Sequence, residues 1–94
     1  MEIEIHNEES ETKGSYYVEI DGNRVAEMTY SVAGSDRIII DHTEVGDAQR
    51  GTGLGEKLVY RAVKDARNKG ISIVPLCPFA RSVFNKNVDL KDVL

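Results

Sequence analysis

The sequence predicts a mixed α/β (α+β) fold: an antiparallel four-stranded meander, a long helix, a parallel fifth strand and a short C-terminal helix. Three observations predict it. Apolar residues alternate with polar ones at period 2 through most of the first 45 positions, as on half-buried strands. From Gly53 the period changes to that of an amphipathic helix. A short apolar run, Ile71–Leu76, then follows that helix, and strand–helix–strand order favours a right-handed crossover to a parallel neighbour.

Each element has its own signal. In Met1–Asn7, Ile3 and Ile5 alternate with Glu2, Glu4 and His6, which reads as a strand. Glu8–Ser15 is polar and contains Gly14, so a loop is expected there. Tyr16–Ile20 is a second strand, and Asp21-Gly22-Asn23 is a hairpin turn because these residue types tolerate positive φ. Arg24–Val32 alternates with Ala26, Met28, Tyr30 and Val32 on one side. A turn at 33–36 leads to the β-branched run Arg37–Val45, the best candidate for a central strand. In the helix Gly53–Lys69, Leu54, Leu58, Val59, Ala62, Val63 and Ala66 form one stripe. Gly70 stands where a C-cap glycine belongs, and Lys64, Arg67 and Lys69 suit the negative helix end. Pro78 opens a second helix, Phe79–Lys86, with Val83 and Phe84 turned inward. The segment 87–94 carries no clear periodic signal.

With 94 residues the chain is expected to be one domain, 1–94. Its 40% hydrophobic and 30% charged content is that of an ordinary soluble protein. No apolar run reaches membrane-spanning length, the first residues lack the basic start of a secretion signal, and one cysteine forms no internal disulfide. A cytoplasmic setting and no membrane partner are the expectations. Charge is unevenly spread. Residues 1–49 carry 12 acidic and 3 basic side chains, whereas residues 50–94 carry 4 acidic and 9 basic ones. The acidic half argues against nucleic acid as a partner and suits a cationic acceptor. A purely solvating role for the same charges is the plain alternative. A monomer is expected, since the glutamates of the first strand discourage edge pairing.

The run Gln49-Arg50-Gly51-Thr52-Gly53-Leu54-Gly55 joins the fourth strand to the long helix. A helix N-terminus leaves four N–H groups without partners and carries partial positive charge, so it takes phosphate readily. Three glycines remove Cβ atoms from the approach to those donors, and Arg50 adds a charge-assisted contact. Gly46-Asp-Ala-Gln-Arg-Gly51 has the gap of a Walker A loop, but Thr52 stands where that loop needs lysine. The spacing G-x-G-x-G also departs from the dinucleotide fingerprint G-x-G-x-x-G, and the preceding sheet is antiparallel. A tight strand-to-helix turn with no ligand needs one glycine rather than three at alternate positions.

The segment with its flanking strand and helix resembles the coenzyme A motif of the GCN5-related N-acetyltransferase (GNAT) superfamily, Q/R-x-x-G-x-G/A. Ile40-Asp41-His42-Thr43-Glu44-Val45 and Val74-Pro75-Leu76-Cys77-Pro78-Phe79 carry the resemblance further, over about residues 16–86, to a small subgroup without the superfamily's N-terminal helices. The resemblance implies a truncated GNAT fold in which the strand before the turn and the later parallel strand splay apart around the acyl-pantetheine arm. It implies acetyl-coenzyme A as co-substrate, with no metal. Backbone at Thr43–Val45 would bond the arm, the amides of Gln49–Gly55 would hold the pyrophosphate, and Asn85 or Lys86 would lie near the cofactor. One departure is that Asn87-Val88-Asp89 stands where members of the subgroup often carry a His-Pro-type segment.

Acetyl transfer to an amine needs a base for the amine proton and an acid for the leaving thiolate. His42 and Glu44, at i and i+2, share one strand face just before the turn. Imidazole titrates near neutrality, which suits His42 to either role, and Glu44 suits a base acting directly or through water. A surface histidine and a solvated carboxylate are the competing readings. His6, on an edge strand, reads as a surface residue. Cys77 ends the short strand across the expected splay, as an acetyl-accepting nucleophile, as the acid for the departing thiolate, or as a small buried hydrophobe. Tyr30 and Tyr60 read as packing residues. The expected function is acetyl-CoA-dependent transfer to an amine; the alternative is an acyl-CoA-binding module with little or no transfer.

Overall fold

The computed structural model describes residues 3–94. Five strands lie in the order of the chain: β1 (His6–Glu9), β2 (Lys13–Ile20), β3 (Asn23–Ala33), β4 (Arg37–Val45) and β5 (Ser72–Pro75). The first four pair antiparallel and β5 pairs parallel to β4. Helix α1 (Leu54–Lys69) makes the crossover, and α2 (Pro78–Lys86) and a 3-10 turn at Val88–Val93 close the chain. This is the mixed sheet with two helices that the hydrophobic periodicity predicts.

The apolar stripe of α1 packs as expected. Leu54, Leu58, Val59, Ala62, Val63 and Ala66 are all buried, against Tyr16, Val18, Ala26, Met28, Ile38, Ile40 and Ile73 of the sheet. Val83 and Phe84 of α2 join the same core. Gly70 ends α1 with a left-handed φ, its N–H donating to the carbonyls of Ala66 and Arg67. Asp21 and Gly22, both at positive φ, make the two-residue turn between β2 and β3. The final segment also has a place. Leu90 and Val93 are buried in the core, and Arg67 of α1 holds it from outside by donating to Asp92 and to the Asp89 carbonyl. Spacing of i, i+3 is the 3-10 period, which a search for helical or strand period passes over.

The first hairpin differs from expectation. The strand expected at Met1–Asn7 is observed at His6–Glu9; Met1 and Glu2 lie outside the described residues. The expected loop 8–15 is strand at both ends, turning at residues 10–12, where Ser10 N–H donates to the Lys13 carbonyl. Gly14 sits inside β2 because the ring of Tyr30 occupies its side-chain space: a Cβ there would lie 2.3 Å from Tyr30 Cζ. These strands are polar because they lie at the sheet's edge and toward its uncovered face, so no hydrophobic alternation marks them.

The two faces of the sheet are unlike. Both helices and the 3-10 turn pack on one face, and among the described residues no helix covers the other. Which face a β4 residue takes is decided by a bulge. Thr29 pairs with His42 and Tyr30 with Ile40, so Asp41 is an extra residue in β4. Before the bulge Ile38 and Ile40 face the helices; after it Thr43 and Val45 do, and His42 and Glu44 turn to the open face.

Candidate active site

The strand-to-helix turn is built from backbone first. A short 3-10 turn, Asp47–Gln49, follows β4, and the chain reaches α1 through Gly51 and Gly53 at φ of 80° and 81°. A side chain at either position would be strained, although the space beside both is open. Gly53 is the N-cap of α1 and supplies no capping side chain. Among the described residues, the N–H groups of Gly51, Gly53, Leu54, Gly55 and Glu56 have no hydrogen-bond partner. Thr52 is turned back instead: its N–H and hydroxyl both donate to the Gln49 carbonyl. The result is a row of free donors at the positive end of a sixteen-residue helix.

A cleft of about 340 Å³ opens on these donors, lined by Thr43, Val45, Gln49, Arg50, Gly51, Gly53, Leu54, Gly55, Glu56 and Phe79. Arg50 is exposed and paired with Asp47 at 3.3 Å. Gly55 serves a purpose other than phosphate access. A Cβ there would lie 2.7 Å from Phe79 Cζ and 3.4 Å from Val45 Cγ2, so this glycine lets α2 close on α1 and form the cleft wall.

Beside the cleft the sheet splits. β4 and β5 pair only from Arg37↔Ser72 to Ile40↔Pro75, after which Leu76 and Cys77 both donate to the Ile40 carbonyl and the chain leaves for α2. Beyond Ile40, β4 runs on to Val45 paired with β3 on one side and, among the described residues, with no strand on the other. Gly46 N–H donates to Val25 O of β3, so strand alternation turns the backbone groups of Val45 and Thr43 to the free edge. This is a strand edge of two residues, open where an extended amide-bearing chain can pair with it.

Cys77 is the N-cap of α2 and 6% exposed. Its thiol donates to Thr43 Oγ1 at 3.6 Å across the split. Burial pushes the thiol up, but the backbone N–H of Ala80, the Thr43 hydroxyl and the backbone N–H of Phe79 stabilise the thiolate and bring it below the ordinary cysteine range on balance. The structure brings Cys77 to Thr43, not to His42 or Glu44. Those two project from the opposite face, because the Asp41 bulge reverses the alternation on which the sequence-based placement rested. His42 lines a broad cavity over the open face, together with Leu76. Glu44 lines a separate shallow depression with Arg24 and Glu27. Asn85 and Lys86 lie exposed at the far end of α2 and do not line the cleft.

Sequence reasoning missed three features here: Thr43 as the partner of the thiol, Phe79 as the cleft wall, and the bulge. The first two are contacts between distant segments. The bulge had one signal, a charged residue at Asp41 interrupting an isoleucine run.

Comparison with known proteins agrees with this geometry. A GCN5-related N-acetyl-transferase family model matches residues 15–93. A GCN5-like protein from Staphylococcus aureus, solved in solution, is 35% identical with a TM-score of 0.72, over 96% of this chain and 85% of its own. The ribosomal-protein-alanine N-acetyltransferase of Brucella melitensis biovar Abortus 2308 has the same fold at 20% identity and a TM-score of 0.68. The match covers 83% of this chain and 62% of the Brucella enzyme's length. A GNAT acetyltransferase from Elizabethkingia anophelis, solved with acetyl-CoA bound, shares the fold at 13% identity and a TM-score of 0.64, over 78% of this chain and 63% of that one. No curated protein sequence matches the chain.

Proposed function

The chain belongs to the GCN5-related N-acetyltransferase family, and on that premise we propose that it transfers the acetyl group of acetyl-CoA to an amine acceptor. The observation that carries this reading is the pairing of two features on one cleft: a row of unpartnered amides at the start of α1, and a free two-residue strand edge leading to a thiol. A pyrophosphate fits the first, because Gly51 and Gly53 expose N–H donors that a Cβ and its backbone strain would remove. A pantetheine amide fits the second.

Each residue then has a task. The amides of Gly51 and Gly53–Glu56 hold the pyrophosphate, with Arg50 leaving Asp47 to add charge. Thr43 and Val45 hold the pantetheine through their backbone. Bound acetyl-CoA supplies the activated acyl thioester. Cys77, its thiolate favoured by the start of α2, accepts the acetyl group as a thioester. In that exchange one C–S bond forms and one breaks, and the departing thiolate takes the proton that Cys77 gave up. The acceptor nitrogen next attacks the acetyl carbon on Cys77, a C–N bond forms, and the Cys77 sulfur leaves. His42, lining the open-face cavity beside Leu76, takes the amine proton from that side. Glu44 acts on the same face through water. The cytoplasm is the compartment this chemistry suits, since a free reactive thiol persists under reducing conditions.

Intact mass after incubation with acetyl-CoA tests the route. The expected result is one added acetyl group that is absent in Cys77→Ala and is discharged by a primary amine. Unchanged turnover in Cys77→Ala means direct transfer, and no binding of coenzyme A at all overturns the reading.

A further inference from the structure

The cavity over the uncovered face is the larger of the two main openings, about 890 Å³, and its floor is ordered in a way the acetyl cleft does not explain. Four of its residues, one on each antiparallel strand, stand in direct cross-strand register: Glu8 opposite Ser15, Ser15 opposite Thr29, and Thr29 opposite His42. Cross-strand partners project to the same face. The four therefore form a straight row across the sheet, three strand spacings or about 14 Å long. His42 ends the row on β4, where Leu76 also lines the cavity, and Glu8 ends it at the outer strand.

Ser15 is the central observation. It is the one buried polar residue among the described residues, at 7% exposure, and it lies in the middle of the cavity floor. Its hydroxyl makes no hydrogen bond within the protein among the described residues, although every fully enclosed side-chain polar atom there has a partner. A hydroxyl so placed keeps its small accessible area toward the cavity and lacks a partner that an occupant can provide. The surrounding charge says which occupant. Three carboxylates, Glu8, Glu27 and Asp41, face the cavity against two cations, Lys13 and Arg24, while the Glu9 carboxylate turns to the helix side to accept from Tyr30. Arg24 is shared by Glu8 and Glu27, at 2.9 and 2.6 Å, and among the described residues Asp41 accepts one side-chain hydrogen bond, from Ser31.

We infer that this face is the acceptor site and that it takes an aliphatic di- or polyamine. The reacting nitrogen lies at the His42 end, and a distal ammonium lies along the row toward Glu8. The inference rests on the acetyltransferase reading for its direction, since that reading fixes which end of the row is reactive. It does not rest on it for binding. A lysine side chain offers one nitrogen on a bulky backbone and leaves Glu8 and Glu27 sharing the single charge of Arg24, whereas a linear polyamine spans the row and brings them a second cation.

Calorimetric titration of the full chain without acetyl-CoA separates the two claims. Spermidine is expected to bind at least tenfold more tightly than butylamine or Nα-acetyl-lysine amide. Ser15→Ala and Glu8→Gln should each weaken spermidine severalfold while leaving coenzyme A affinity unchanged. Equal affinity for spermidine and butylamine, tighter binding of the lysine derivative, or indifference to both substitutions would overturn the inference. If spermidine binds as expected but is never acetylated with acetyl-CoA present, the acceptor surface stands as a polyamine site and the transferase reading fails.

Discussion

Two buried tyrosines show how single side chains tie the sheet to its surroundings. Tyr16 donates to Asp65 of α1 at 2.8 Å, and Tyr30 donates to Glu9 of β1 at 2.8 Å while accepting from Asn7. Burial, then the Asp65 carboxylate, pushes the Tyr16 hydroxyl far above the usual tyrosine range. Burial pushes Tyr30 up to about 12, with Glu9 adding to the rise and Asn7 opposing it. Both groups therefore hold their protons more tightly folded than unfolded. Their contribution to stability is complete below the unfolded pKa of about 10 and is lost as pH rises through the folded values. Urea midpoints should thus fall from about pH 10 upward. Tyr16→Phe should cost about 1 kcal/mol at neutral pH, from the lost hydrogen bond, and should show a shallower alkaline fall than the parent. An alkaline fall as steep in Tyr16→Phe as in the parent would remove Tyr16 from this account. Neither tyrosine's partner was legible from sequence, where Tyr16 opened a strand and Tyr30 read as a packing residue, because the partners lie 49 and 21 positions away.

At the scale of elements, α1 and the turn before it were the most legible part of the chain. The stripe of α1 and its C-cap glycine follow from local sequence, and so does the strand–turn–helix order that leaves the free amides of the proposed phosphate cradle. The glycines looked alike in sequence and differ in the structure. Gly51 and Gly53 supply backbone conformation, whereas Gly55 supplies room for Phe79. That distinction yields a prediction. Gly53→Ala forces a Cβ into a left-handed φ of 81°, at about 1–2 kcal/mol, and the local relaxation turns the first amides of α1 away. Coenzyme A affinity by calorimetry should fall about tenfold, which corresponds to 1.4 kcal/mol, with helix content unchanged by circular dichroism. Unaltered affinity would mean the cradle is not held by that conformation. Strand β4 was only half legible. Its β-branched run marks a central strand, but the extra residue at Asp41 is invisible to a period-2 reading, which keeps side chains in strict alternation. His42 and Glu44 were correctly placed on one face, but that face is the one away from Cys77.

For the molecule as a whole, the order of elements was readable because hydrophobic period reports which side of an element is covered. The polar first hairpin and the 3-10 tail were not readable, since neither presents such a period. The open face was hidden for the same reason: its row from Glu8 to His42 exists only once four strands are in register. The two faces divide the work. On the proposed reading the helix side offers backbone donors and a thiol to an anionic thioester, and the open side offers carboxylates to a cation. The uneven charge of the sequence follows this division, its acidic half forming β1–β4 and its basic half α1, β5 and α2. Amide chemical-shift mapping with coenzyme A tests the central claim most directly. Saturable shifts are predicted at Gly51, at Gly53–Glu56 and at Thr43 and Val45, with Ser15 and Thr29 unmoved. Shifts confined to the open face, or none that saturate, would contradict it.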